Sequence, residues 1–197
     1  MLESQVMELE KQKEQQFDER VIEIARVAKV VKGGRRFRFR VTMVVGDNHG
    51  KVGMGVGKAN AVPDAMRKAT ERAHKDMHPV FLYGTTIPHE SVGKIGGAVI
   101  MIRPASRGTG VIAASGVRAV LEAVGVRDIL TKSMGSANVL NVVQATLKAL
   151  DQLKSPKEEA ARRGKPQEEL LPFWERRKKN GPKNCSPFKY PNYYLGF

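Results

Sequence analysis

The sequence predicts an α+β protein of two small domains with an extended carboxy-terminal tail, and three observations predict it. Val27 to Lys58 holds three short apolar runs divided by two glycine-bearing turns, Lys32-Gly33-Gly34-Arg35 and Asp47-Asn48-His49-Gly50, the pattern of a three-stranded antiparallel sheet. A proline-initiated amphipathic helix follows. From about residue 85 the apolar runs and helical periodicities come in the order β-β-α-β-α, a second two-layer unit. A chain of 197 residues can bury one substantial core or two small ones. The expected divisions are an arm at 1–20, a first domain at 21–80, a second at 85–155, and a helix with a basic and aromatic tail at 156–197.

The first domain opens with a strand from Val21 to Val31. Two adjacent glycines at the turn supply positive φ at little steric cost and let the backbone approach a ligand closely. In the second strand Phe37, Phe39, Val41, Met43 and Val45 fall on one side, and Arg36, Arg38, Arg40 and Thr42 on the other. Such a strand is expected to bury an aromatic and aliphatic face and to hold guanidinium groups outward. The third strand, Lys51 to Lys58, sets Val52, Met54 and Val56 against a bare stripe of Gly53, Gly55 and Gly57. Glycine inside a strand marks a close approach by another backbone or a ligand. A nucleotide loop fails on spacing, because Ala59 follows Lys58 and GxxxxGK[ST] is absent. Pro63 and Asp64 then open a helix to about His78, with Ala65, Met66, Ala69, Ala73 and Met77 inward and Arg67, Lys68, Arg72 and Lys75 outward. His74 and His78 stand at i,i+4, but no third ligand accompanies them and no metal is expected.

In the second domain, Thr85 to Val92 and Ala98 to Arg103 read as strands around the turn Gly93-Lys94-Ile95-Gly96-Gly97. Ala98 to Ile102 is continuously apolar, as for a strand buried on both faces. The loop Arg103-Pro104-Ala105-Ser106-Arg107-Gly108-Thr109-Gly110 is expected to open a helix from about Val111 to Val124. There its N–H groups could hold an anion, or Thr109 simply cap the helix. Ile112, Val120, Leu121 and Val124 form the inward stripe, and Gly125 ends it. A strand from Asp128 to Lys132, the loop Ser133 to Asn138 and a helix from Asn138 to about Leu153 complete the unit.

Charge sets the function class. The net charge is +14 and the pI about 10.1. Residues 26–60 carry nine basic side chains against one acidic, Asp47. That concentration points to a polyanion. The expected contacts are Lys29, Lys32, Gly33, Gly34, Arg35, Arg36, Arg38, Lys51 and Lys58. No apolar run reaches the ~20 residues needed to span a bilayer, and no helix sets Trp or Leu opposite a lysine face, so no membrane partner is expected. The first 25 residues hold seven acidic side chains and three basic ones, which does not read as a secretory signal. A single cysteine, Cys185, permits neither an internal disulfide nor a cysteine metal cluster, and the expected compartment is the cytosol. Four scattered histidines and acidic residues gathered at 1–25 and after Pro156 form no catalytic constellation, so neither an enzyme nor a cofactor is expected. The tail from Pro172 joins Arg176-Arg177-Lys178-Lys179 to seven of the chain's twelve aromatic residues. That mixture suits base stacking or anchoring in a protein groove.

The series KxVKGGRRFRF, VVGDxxGxVGxGxGKA, VPxA, PASxGTGxIA, VRAVLExxGVxDxLxKSxGSxNxxNVVxATxxAL and SPxxxAxxRGK resembles the bacterial family of ribosomal small-subunit protein five, in that family's order and over about residues 17–171. The resemblance implies a first domain related to the double-stranded RNA-binding fold and a second of the family's own type. It also implies a place in the small subunit near the messenger entrance, contacts to ribosomal RNA and to small-subunit proteins four and eight, and an influence on decoding accuracy. The family's flexible RNA-contacting loop, where changes in relatives accompany spectinomycin resistance, falls on Lys29 to Arg36. The interface with protein four maps near Ser106 to Arg118, through Arg107, Gly108, Thr109, Gly110 and Arg118. Arg107 stands where an acidic residue is common in the family, and the tail has no counterpart. The alternative is a free-standing double-stranded RNA-binding protein.

Overall fold

The computed structural model of the chain describes residues 17–166 and Glu169. Most of the amino-terminal arm and the aromatic tail, including Phe173, Trp174 and Cys185, lie outside the described residues. The first sheet is formed by β1 (Asp18–Val31), β2 (Gly34–Gly46), β3 (Lys51–Ala59) and β4 (Met77–Pro79), antiparallel throughout and in that order. The β2–β3 turn is built around Asp47, whose carboxylate accepts the N–H groups of His49 and Lys51, both at 2.8 Å, and around Asn48 and Gly50, at φ of 56° and 98°. α1 (Val62–Lys75) begins with Pro63 in its first turn and Asp64 near the positive end of its dipole. It lies across β3 with Ala65, Ala69 and Ala73 fully buried.

The helix stops three residues before the expected His78. Asp76 leaves helical geometry, Met77 pairs with Gly53, and His78 pairs with Val52. Helical spacing at Met77 loses to the open edge of β3, whose backbone groups gain ladder partners from β4.

The second sheet has the order β5-β6-β8-β7: β5 (Ser91–Ile95), β6 (Ala98–Pro104), β8 (Ile129–Gly135) and the two-residue β7 (Val111–Ile112), which runs parallel to β8. α2 (Ser115–Val124) and α3 (Val139–Asp151) cover its inner face. α4 (Pro156–Arg163) follows, with Glu159 paired to Lys154 at 3.2 Å.

Four expectations are corrected here. Thr85–Glu90 is not strand: Tyr83 and Thr86 form an isolated bridge and pairing begins at Ser91. Gly93 belongs to the strand rather than the turn, because a Cβ there would come within 2.7 Å of the Ala149 nitrogen, and the turn is Gly96-Gly97. The helix expected from Val111 starts at Ser115 with Ala114 as its N-cap, so Thr109 caps nothing, and Ile112 is half exposed on β7. β8 takes up Ser133 to Gly135, residues expected in a loop. Asn138 does cap α3, accepting the Leu140 N–H at 3.3 Å, and Gly125 ends α2 at φ 97°.

The main core joins both sheets through α2. Val44, Val52 and Val80 belong to the same buried cluster as Ile100, Ile102, Val117, Leu121 and Val143. The β2–β3 turn grips the carboxyl end of α2: Asn48 N–H donates to the Ala123 carbonyl at 3.1 Å and Gly50 N–H to that of Val124 at 3.0 Å. These bonds satisfy orphan carbonyls of the helix end with backbone donors from the other sheet. Arg20 adds an ion pair to Glu122. A smaller cluster of Val41, Met43, Ala59, Ala65 and Ala69 fills the space under α1.

Thr42 was expected to face outward with the arginines, yet it is fully buried and its hydroxyl has no hydrogen-bond partner among the described residues. A buried, unpaired hydroxyl costs its desolvation without return. Thr42→Val keeps the shape and removes that cost. It is expected to raise stability by about 1 kcal/mol, seen as a higher denaturant midpoint at unchanged slope.

Candidate nucleic-acid interface

β1 and β2 pair from Asp18–Gly46 to Val31–Gly34, leaving Lys32 and Gly33 as a two-residue turn. β3 accompanies β2 only as far as the Phe39–Ala59 pair. Val27 to Arg38 therefore project as a two-stranded ribbon of about 15 Å at the usual strand rise. Gly33 and Gly34 at its tip have φ of 93° and 148°, and no heavy atom stands within 4 Å of where a Cβ would be.

Register sorts the ribbon into two faces, because directly paired residues share a face. Lys29 opposite Arg36, Val27 opposite Arg38 and Ala25 opposite Arg40 lie on one. Lys58, opposite Arg40 in the next pairing, extends that row onto the sheet. Val30 with Arg35, Ala28 with Phe37 and Arg26 with Phe39 lie on the other. Arg40 forms an ion pair with Glu23 at 3.6 Å. Among the described residues, Lys29, Lys32, Arg35, Arg36, Arg38 and Lys58 form none. Two like charges directly opposite, as at Lys29 and Arg36, weaken a strand pair. An external anion between them turns that repulsion into attraction.

The structure thus brings together eight of the nine expected contacts: Lys29, Lys32, Gly33, Gly34, Arg35, Arg36 and Arg38 on the ribbon and Lys58 at its base. Lys51 stands apart at the other end of β3, seven residues or about 23 Å from Lys58. The expected aromatic face is also corrected. Val41, Met43 and Val45 are buried, but Phe37, beyond the reach of β3, is 51% exposed, and the Arg26 guanidinium lies 4.6 Å from its ring centre. The strand alternation alone did not single out Arg26, which is set over Phe37 by the cross-strand register.

His74 lies edge-on to Phe17 with ring centres 4.8 Å apart and faces Glu19 at 3.6 Å, while His78 faces Asp76 at 3.3 Å. The glycine stripe of β3 meets protein: Gly53, Gly55 and Gly57 sit against the α1 backbone at Ala73, Ala69 and Ala65.

The loop before β7 gathers the expected protein-interface residues. Arg107 is exposed. Gly108 and Gly110 donate their N–H groups to the same oxygen of Asp128 at 2.9 and 3.0 Å, and the Thr109 hydroxyl donates to the Ser106 carbonyl at 2.7 Å. Arg118, on α2, donates to the Val111 carbonyl at 3.1 Å. The place of an anion that this loop could have held is taken from within, by a buried carboxylate 18 and 20 residues away. Asp128 is held below its ordinary value of 3.8, first by the Gly110 N–H and then by the Thr85 hydroxyl, against the opposing effect of burial.

A carboxylate with a depressed native pKa stabilises the fold in its ionised form, and that contribution is present above about pH 4 and lost as pH falls further. Asp128→Asn is therefore expected to destabilise the protein at pH 7 by about 2 kcal/mol. The difference from the parent chain should shrink towards zero in denaturant titrations carried below about pH 4.

With this geometry in view, comparison with known proteins is decisive. Residues 17–81 match the model of the ribosomal protein S5 N-terminal domain, and residues 93–163 match that of the ribosomal protein S5 C-terminal domain. The chain belongs to the ribosomal protein S5 family. Among its relatives is the small ribosomal subunit protein uS5 of Nocardia farcinica (strain IFM 10152). That protein is 54% identical over 154 residues, which cover 78% of this chain and 71% of the relative. The first family match closes just beyond β4 and the second opens within β5, so the ribbon falls in the first and the Asp128-bound loop in the second. As an S5-family member the chain is a ribosomal protein, and the unpaired cations of the ribbon are of the kind a ribonucleoprotein requires.

Proposed function

We propose that this protein is a structural constituent of the small ribosomal subunit in the cytoplasm, bound to ribosomal RNA through the Val27–Arg38 ribbon and without catalysis of its own. The observation that carries the reading is the ribbon: a projection of the first sheet bearing five cations without acidic partners among the described residues, and an open glycine tip. Such a projection enters folded RNA, where the cations displace condensed counterions from phosphates and the glycines admit close backbone approach. The loop Ser106–Gly110, with Arg107 and Arg118 exposed around it, is the surface for small-subunit protein four, and it influences decoding accuracy near the messenger entrance. Protein eight is a second neighbour. On the outer face of the second sheet, Val92, Ile112, Leu130 and Met134 are exposed beside Lys94, Arg103 and Lys132.

Sedimentation of a cell lysate through sucrose at physiological salt tests this directly. The protein is expected to travel with the small subunit. Recovery at the top of the gradient, with retained affinity for duplex RNA, would instead mark a free-standing double-stranded RNA binder.

A further inference from the structure

The face of the ribbon opposite the Lys29–Arg36–Arg38 row carries a different chemistry. Phe37 is 51% exposed and Val30 74% exposed, on a strand pair that no third strand or helix covers among the described residues. An exposed ring offers a flat π face on which a base can stack. Arg26 already lies over Phe37 at 4.6 Å, so a planar cation and an aromatic ring are held together as one surface. Arg35 flanks them on the same face, and from Ile24 to Gly46 the chain contains no acidic residue. A partner for this surface must present both negative charge and flat π faces.

We propose that Phe37 and Arg26 form a stacking platform for one unpaired nucleobase of RNA, while Lys29, Arg36 and Arg38 on the opposite face hold phosphates. The inference rests on the reading of the ribbon as an RNA-binding element. The base must be unpaired because bases within an A-form duplex are stacked on one another and offer no free face, whereas bulged or looped bases do. A neutral or basic protein surface is disfavoured by the unbroken positive charge around the ring, whereas RNA supplies negative charge and flat faces together. The ribbon then has two jobs: one face neutralises backbone, and the other selects a site where the helix is interrupted.

The test uses the full chain and two RNA probes: a fully paired duplex of about 16 base pairs, a length that spans two successive minor grooves, and the same duplex with a single bulged 2-aminopurine. Binding is read by anisotropy at fixed salt, and stacking by quenching of the 2-aminopurine. The parent chain is expected to prefer the bulged duplex by about tenfold, the range found for one base on one aromatic ring, and to quench the probe. Phe37→Leu should abolish both the preference and the quenching while leaving affinity for the paired duplex and the melting temperature unchanged. Phe37→Trp should retain both. Arg36→Gln with Arg38→Gln should weaken the two RNAs by the same factor. A Phe37→Leu variant that keeps the preference, or a parent chain that binds the paired duplex as tightly as the bulged one, would overturn the platform while leaving the ribbon's phosphate contacts standing. Absence of salt-dependent binding to either RNA by the parent chain would overturn the reading beneath it.

Discussion

Gly55→Ala is expected to lower the melting temperature by about 6–12 °C. A methyl group at that position would overlap the Ala69 carbonyl oxygen and come within 2.7 Å of the Ala73 nitrogen, both backbone atoms of α1 that no side-chain rotation can move. Gly53 and Gly57 meet the same helix at Ala73 and Ala65, so local retreat at one glycine lifts the helix from its neighbours. The geometry is a match of periods. Alternate residues of a strand advance about 6.6 Å and every fourth residue of a helix about 6.0 Å, so a glycine at every second position of β3 meets an alanine at every fourth position of α1. Overfilling a packed core ordinarily costs about 1–3 kcal/mol. A clash with backbone on both sides belongs at the upper end, and for a chain of this length each kcal/mol is worth roughly 2–4 °C. Circular-dichroism melting of Gly55→Ala beside Lys58→Ala reads the effect. Equal melting temperatures would show that α1 is not seated on the stripe.

The second large effect is on binding. Replacing Lys29, Lys32, Arg36 and Arg38 together by Gln is expected to weaken binding to small-subunit ribosomal RNA by about 100-fold or more at moderate salt. The same variant should melt no lower than the parent chain. None of the four forms an ion pair among the described residues, and the change removes the repulsion between Lys29 and Arg36. A filter-binding titration with a parallel thermal melt separates the outcomes. Loss of affinity with loss of fold would mean that the ribbon is needed for folding, whereas loss of affinity alone identifies it as a binding surface.

These two effects also show what was legible in the sequence. The glycine stripe announces a close approach, because no other residue type explains three bare positions on one side of a strand. It does not name the partner, which depends on how α1 crosses β3. The alternation of phenylalanine and arginine in β2 defines two faces. It does not reveal that the sheet narrows to two strands beyond Phe39, since that follows from β3 ending at Ala59. Phe37 was therefore expected inside and stands outside. Thr109 has the residue type and position of an N-cap, but the chain spends Val111 and Ile112 on a parallel pairing with β8, a contact formed across eighteen residues of sequence that local propensity cannot report. Asp128 gives no local signal for the same reason: two of its partners are backbone N–H groups of Gly108 and Gly110, which any residue but proline could supply. Family motifs located the loop; only the fold shows the carboxylate that its N–H groups bind.

The central claim is that an unpaired row of cations on the Val27–Arg38 ribbon holds the protein on RNA by releasing counterions. The salt dependence of binding tests it most directly. If about six phosphates are neutralised, a plot of log affinity for deproteinised small-subunit RNA against log salt should fall with a slope of roughly −5. The variant lacking Lys29, Lys32, Arg36 and Arg38 should give a slope of roughly −2, each lost contact removing about 0.9. A slope near zero for the parent chain, or equal slopes for both, would contradict the account.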